Sequence, residues 1–382
     1  PYQGVTIPTT AALQLIFDTV TTLDAAGGPA PGLAVSWRQL DPRTWEYQLR
    51  AGVVFSNGEP LTAEALVESV RHMKSRRGRA ETIGSMLAQI ESVESIDALT
   101  VRLHLGEADP LLPLHTTVWR VPAPAHWRTL KLPAGARNAL GTGPYTLAGR
   151  QEGRLVLQAN PRSWRKASAP VIELLMIPDA TARLQAFVSG AVDLAMVLSL
   201  DNKAAAERNG GRLHTRLTPQ VDFIAFQTER RPDSALQDAR VRRALNMAVD
   251  RRVLTQYVLG GAIEPASQLN VPGAFGYDPG LVPLPYDPAA ARSLLAEAGH
   301  AGGLSLKMIV TTGEVAGDTV YLQQIGADLK KVGVEVEIRT RPSARQLQEI
   351  FSGTLRGDLF SFNTRGNDPL NDYRHRAVEP SM

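Results

Sequence analysis

The sequence predicts an α/β protein of two lobes, with an additional β-rich subdomain inserted in the first. Three observations carry this. Before Val171, alternating strand-like segments are set around a few helices; after it, short strands alternate with longer helices. A chain of 382 residues also exceeds what one ordinary core accommodates.

Taken in order, residues 11–23 place Leu13, Ile16, Phe17 and Val20 at helical spacing and break at Gly27, Gly28 and Pro29, so a helix is expected there. TWEYQLRAGVVFS (44–56) puts Trp45, Tyr47 and Leu49 on one face of a strand and turns at Asn57-Gly58. LTAEALVESVRHM follows as a helix, with Thr62 in the N-cap position, Leu66, Val67 and Val70 on one face, and Glu64 and Glu68 near its positive end. Val101, Leu103 and Leu105 alternate in ESIDALTVRLHL (94–105), another strand. The stretch GTGPYTLAGRQEGRLVLQANPRSWR (141–165) contains a further strand, LVLQA.

Beyond Val171 come VIELLMIP, the helix TARLQAFVSG stopped by Gly190, and AVDLAMV, a strand-helix-strand unit. VDFIAFQT (221–228) is a near-continuous apolar strand, and DARVRRALNMAVDRRVLTQYVLGG a helix ending at Gly260 and Gly261. A Pro/Gly-rich loop (262–288) precedes the helix DPAAARSLLAEAG. LSLKMIV, a helix over 317–332, GVEVEIRT, the helix ARQLQEIFSG and GDLFSFN close the pattern.

Lys and Arg number 41 against 38 Asp and Glu, a net charge of +3, which does not point to nucleic acid as a partner. The basic run RHMKSRRGR (71–79) is expected to be a solvated helix end. The absence of cysteine excludes disulfides, thiolate metal sites and a cysteine nucleophile. No run of 18 or more apolar residues is present. The chain opens on Pro1, as a processed or trimmed product would.

The glycine-rich loop at Gly141 lacks the Lys and Ser/Thr of a P-loop and the third glycine of a dinucleotide fingerprint, and Pro144 removes a backbone donor. No GxSxG elbow occurs. The seven histidines are dispersed, with no HxH or HxxxH pair. Two carboxylate pairs, Asp368 with Asp372 and Glu335 with Glu337, have no acid/base partner in the pattern. These observations favour a binding protein without a cofactor; a hydrolase or transferase on a two-lobed scaffold is the alternative.

The segments PGLAVSW (31–37), WEYQLRAGVVFSNGEPLTAEALVESV (45–70), the 141–164 stretch, MIPDATARLQAFVSGAVDLA (176–195), FIAFQTER and DARVRRALNMAVDR (223–251), and YDPAAARSLLAEAG (286–299) occur in this order. Together they resemble the peptide/nickel class of periplasmic solute-binding proteins that serve ABC importers. The resemblance implies a two-lobed periplasmic-binding-protein-like fold closing on a buried ligand, with lobe I made of residues 1–36 and 141–225, the β-rich insert of 37–140, and lobe II of 226–382. It also implies a strand before residue 1 and a long stretch beyond Met382. The expected partners are a small-molecule or peptide ligand and an inner-membrane ABC permease, for a monomer in the periplasm or lipid-anchored outside the cell. On this reading the Gly141 loop is the return from the insert to the first lobe, with Asn160-Pro161 and Trp164 closing a hairpin.

The resemblance also nominates site residues. Peptide-binding members carry an aspartate three residues before a carboxylate-proline pair to receive the ligand's ammonium; here Asp368-Pro369 is preceded at that position by Arg365. An arginine would repel an ammonium and invite a carboxylate or phosphate. Arg120 and Arg137 stand where nickel-binding relatives carry arginines that hold a small-acid chelate. Phe362, Asn363 and Asn367 flank the same turn, Gln227 stands where many members have asparagine, and Tyr145 follows the glycine loop. A small, polar, anionic ligand is expected.

Overall fold

A computed structural model describes residues 2, 7–24, 27–79, 81–129, 139–198, 200–215, 220–228, 231–261, 263–273, 276–312 and 317–363. The chain divides into two compact units, Pro1–Met176 and Ile177–Met382, a different cut from the lobe boundary expected at 225/226.

In the first unit, the helix Ile7–Ile16 leads into β1 (Thr21–Leu23), which pairs with β2 (Pro29–Pro31). The helix expected over 11–23 therefore stops early, because the β-branched run Thr19-Val20-Thr21-Thr22 prefers extended backbone. β3 (Ala34–Asp41), β4 (Thr44–Leu49), β5 (Ile90–Ser95) and β6 (Thr100–Leu105) form an antiparallel sheet in the order β3-β4-β6-β5. Trp45 faces Leu103 and Tyr47 faces Val101 across β4 and β6, and all four are buried. Leu66, Val70 and Met73 of the helix Ala63–Lys74 join the same core. Thr62 occupies the N-cap position, with no capping bond from its side chain.

β7 (Tyr145–Gln151), β8 (Arg154–Ala159) and β9 (Val171–Leu175) make a second antiparallel sheet. Its inner face meets Ile16 and Phe17 in a separate small core with Tyr145 and Leu157. The first unit thus holds two cores, one built from the β-rich stretch and one from the segments on either side of it. The glycine loop joins them. A Cβ on Gly141 would lie 2.0 Å from the Ile16 carbonyl oxygen and one on Gly143 2.5 Å from that of Leu15. The Gly143 N–H donates to Ile16 O at 2.9 Å, Asn160 Nδ2 donates to Gly143 O at 2.9 Å, and Ser163 Oγ to Thr142 O at 2.8 Å.

In the second unit, β10 (Asp222–Phe226), β11 (Leu304–Val310), β12 (Val334–Thr340) and β13 (Leu359–Asn363) form one sheet ordered β10-β13-β11-β12. β11 runs parallel to both β12 and β13; β10 is antiparallel to β13 at the edge. The helices Ala239–Ala248, Pro288–Glu297 and Asp318–Lys330 bury Leu245, Leu295, Leu322 and Leu329 in its core. The helix expected over 238–261 breaks at Val249, because the Asp250 carboxylate caps the N–H groups of Arg252 and Val253 and starts a new helical segment. The strand expected at AVDLAMV does not form; those residues are irregular, and Arg183 donates to the carbonyls of Met196 and Val197.

Candidate functional site

The carboxyl ends of β11, β12 and β13 share one edge of the second unit's sheet. β12 lies on one side of β11 and β13 on the other, so the chain reverses its direction across the sheet there. Open α/β sheets take ligands at such a switch point, beyond the carboxyl ends of the strands. Asn363 ends β13 and pairs with Asp222, the first residue of β10. The N–H of Thr311, just past β11, donates to Ser361 Oγ at 3.1 Å. Past β12, the N–H of Arg341 donates to Val310 O at 2.7 Å, and the helix Ser343–Phe351 follows directly.

Polar groups gather at this edge. Burial raises the Tyr321 phenol, and the nearby Asp222 and Asp318 carboxylates push it the same way, so Tyr321 remains a neutral donor. Gln220 Nε2 donates to Asp222 Oδ1 at 3.0 Å. Gln346, in the helix after β12, is 2% exposed and donates through Nε2 to Ser361 O at 2.7 Å. Sequence reasoning did not single out Asp222, Asp318, Tyr321 or Gln346. Asp222, the lone charge inside an apolar strand, was the one available signal.

Of the residues nominated from sequence, Phe362 and Asn363 lie at this edge. The Phe362 ring sits 6.2 Å from both Phe223 and Phe360. Gln227 does not join them: its N–H donates to Asp358 O, at the opposite end of the β10–β13 pair, about 17 Å along the strands from Asn363. Its Nε2 donates to Leu355 O at 3.2 Å. Arg137, Arg365, Asn367 and Asp368 lie outside the described residues.

Arg120 and Tyr145 belong to the first unit. Arg120 is buried, bridging to Thr19 between the buried Trp119 and Val121, so its charge must be compensated inside the protein. The Tyr145 hydroxyl accepts the Ala169 N–H at 3.1 Å and lies 3.4 Å from Ser168 Oγ, ties that hold the chain after β8. Two histidines of this unit are engaged internally. His115 Nδ1 lies 2.6 Å from Asp109 Oδ2, and His72 Nε2 2.8 Å from Glu81 Oε2 with its ring stacked 4.3 Å from Trp127. In the basic run, Arg77 also reaches Glu81, Arg71 pairs with Glu68, and Arg79 donates to Lys74 O. Among the described residues, no group of three or more His, Asp or Glu side chains could hold a metal ion, and no helix is long and apolar enough to cross a membrane.

Two α/β units built this way define the two-lobed periplasmic-binding-protein-like class. The description "bacterial extracellular solute-binding proteins, family 5 (middle)" matches residues 28–377, and the chain belongs to that family. It is 30% identical over 356 residues to the nickel-binding periplasmic protein of Escherichia coli (strain K12), covering 86% of this chain and 66% of that one, so it spans slightly less than two thirds of this relative's length. The structure of NikA from Brucella suis in complex with Fe(III)-EDTA superposes with a TM-score of 0.78 at 25% identity, covering 96% of this chain and 77% of that one. NikZ from Campylobacter jejuni in complex with Ni(L-His) gives 0.79 at 20% identity, over 94% and 74% of the two chains, a likeness of fold alone.

Proposed function

We propose that the chain is the substrate-binding component of an ABC importer of the peptide/nickel type, an extracytoplasmic receptor that captures a small polar ligand by lobe closure and delivers it to an inner-membrane permease. Lobe I would comprise 1–36 and 141–225 around the 37–140 insert, with lobe II from 226. The observation that carries the proposal is the family match over residues 28–377. The site we favour is the carboxyl edge of β11 and β13, including Asn363 and Phe362, together with the segment that follows, Arg365, Asn367 and Asp368.

The ligand is an anion, or carries an anionic group, of the kind offered by a metal chelate, an opine-like acid or an acidic peptide. Arg365, where peptide binders carry an aspartate, favours this, as does Arg137. Asp222 and Asp318 at the same edge suit a ligand that also bears a cationic or hydrogen-bond-donating group.

Native mass spectrometry of the protein purified without refolding tests this. Release of a small acid or metal chelate, lost on Arg365→Asp, is the expected result. A heterogeneous set of neutral or basic peptides, retained in that variant, would overturn the anionic assignment, and product formation from a released compound would overturn the receptor.

A further inference from the structure

We infer that Gln346 is a ligand contact, a fixed hydrogen-bond acceptor that selects for ligands carrying an N–H or O–H donor; this rests on the receptor function proposed above. The side chain is almost wholly buried, and its two amide ends differ. Nε2 donates to Ser361 O at 2.7 Å. Oε1 is buried and has no hydrogen-bond partner. The orientation of the amide is set by its partner, since a backbone carbonyl can only accept and must face the NH2 group. The unpaired atom is therefore an acceptor oxygen.

A buried acceptor without a donor destabilises the fold that holds it, and folded chains retain few of them. Its place gives it a use. Gln346 is anchored on both sides: its own N–H donates to Pro342 O at 3.0 Å in the first turn of its helix, and its side chain grips Ser361, whose hydroxyl accepts the N–H of Thr311. One amide thus touches the strand that ends at Asn363 and sits beside the exit of β11, the edge at which an open α/β sheet receives its ligand. The Asp222 and Asp318 carboxylates that act on Tyr321 lie at the same edge and favour a donor-bearing group there. Oε1 has almost no exposed surface, so a ligand reaches it only as a neighbouring group gives way; an ammonium, amide N–H or hydroxyl arriving there would satisfy it with the Gln346 amide held where it is.

The test compares probes with and without donors. Ni(II) with L-histidine and the tripeptide tri-L-alanine carry N–H groups; Fe(III)-EDTA carries carboxylates, no N–H group, and as donor only an exchangeable aqua ligand. Affinities are measured by isothermal titration calorimetry for the wild type, Gln346→Met and Gln346→Asn. Methionine removes the acceptor, and asparagine withdraws it while keeping an amide, so that one variant remains if the other does not fold. The expected result is a wild type that binds the better donor-bearing probe at least about tenfold more tightly than Fe(III)-EDTA, and a preference cut by about tenfold in either variant, the scale of one hydrogen bond. Equal weakening of all probes would mark Gln346 as merely structural and overturn the inference, because loss of packing does not discriminate between ligands. A wild type that binds Fe(III)-EDTA as tightly as the others would also overturn it while leaving the receptor in place. Binding of no probe would overturn the inference together with the metal-chelate form of the proposed ligand, while the receptor itself is judged by the native mass spectrometry above.

Discussion

The indole N–H of Trp164 donates to Asp18 Oδ2 at 2.8 Å across 146 residues of sequence. Thr142 Oγ1 donates to the same oxygen at 2.8 Å, and Arg165 Nη2 reaches Oδ1 at 2.6 Å. One buried carboxylate thus ties the end of the first helix to the glycine loop and to the turn after β8. Asp18→Ala leaves one buried donor, the Thr142 hydroxyl, unpaired and removes the partner of the more exposed Trp164 and Arg165; it is expected to destabilise the first unit by about 2 kcal/mol, with Asp18→Asn costing about half as much. Urea unfolding followed by tryptophan fluorescence measures this; a midpoint unchanged in Asp18→Ala would contradict it.

The glycine loop makes a second, contrasting prediction. Gly141→Ala sets a methyl group against the Ile16 backbone, which cannot yield without separating the helix Ile7–Ile16 from β7. It is expected to give insoluble or protease-sensitive protein. Gly153→Ala, in the β7–β8 turn at φ +71° with nothing within 4 Å of the added carbon, meets only the left-handed backbone penalty of about 1 kcal/mol. Soluble yield and thermal midpoint of the pair check the contrast.

Acid should weaken the first unit. Burial pushes the Asp109 carboxyl up, but the bond and charge of His115, with Gln89 Nε2 and the Leu111 N–H, outweigh it and hold the group below its ordinary value. Burial likewise raises Glu81, and His72 with Arg77 outweighs it. A carboxylate depressed in the folded state contributes stability that is fully present above its unfolded value, about 3.9 for Asp and 4.3 for Glu, and is lost as pH falls through the lower folded value. Stability should therefore fall below about pH 4, by up to about 1.4 kcal/mol per pH unit for each group. In Asp109→Asn the fall should be shallower than in the wild type. Parallel slopes in denaturant titrations at pH 5, 4 and 3 would show that Asp109 is not responsible.

Val197 is the one non-glycine residue with positive φ among those described, at +56°, a conformation that a β-branched side chain resists. Arg183 holds it there, donating to Val197 O at 2.9 Å, Met196 O at 3.1 Å, and Ile177 O and Pro178 O at 2.8 Å. Val197→Gly is expected to stabilise the second unit by about 1 kcal/mol, and Arg183→Ala to speed proteolysis within residues 190–198. Limited proteolysis with the cut mapped by mass spectrometry decides the latter.

Much of this architecture was legible because it depends on local alternation. Trp45, Tyr47 and Leu49 read as one strand face and are buried as one, and the strands 304–310, 334–340 and 359–363 lie where their apolar runs place them. The misses share a physical cause. AVDLAMV alternates like a strand, but its carbonyls are taken by an arginine distant in the pattern, and the 238–261 helix carried a cap at Asp250 that its apolar spacing hid. The site was less legible still. Phe362 and Asn363 are nominated by the Asp368-Pro369 pair that follows them in the sequence, whereas the unpaired oxygen of Gln346 exists only because a helix and a strand meet, and no spacing in the sequence reports it.

The placement of β13 also governs the order of assembly. It is the central partner of both β10 and β11, yet the β10–β13 end of the sheet is closed by contacts such as Gln227 to Leu355, 128 residues apart in sequence. A chain emerging amino-terminus first carries β10 without its partner until β13 arrives. The second unit's sheet is therefore completed only after a long loop closure, and until then its open apolar edge is free to pair with other chains.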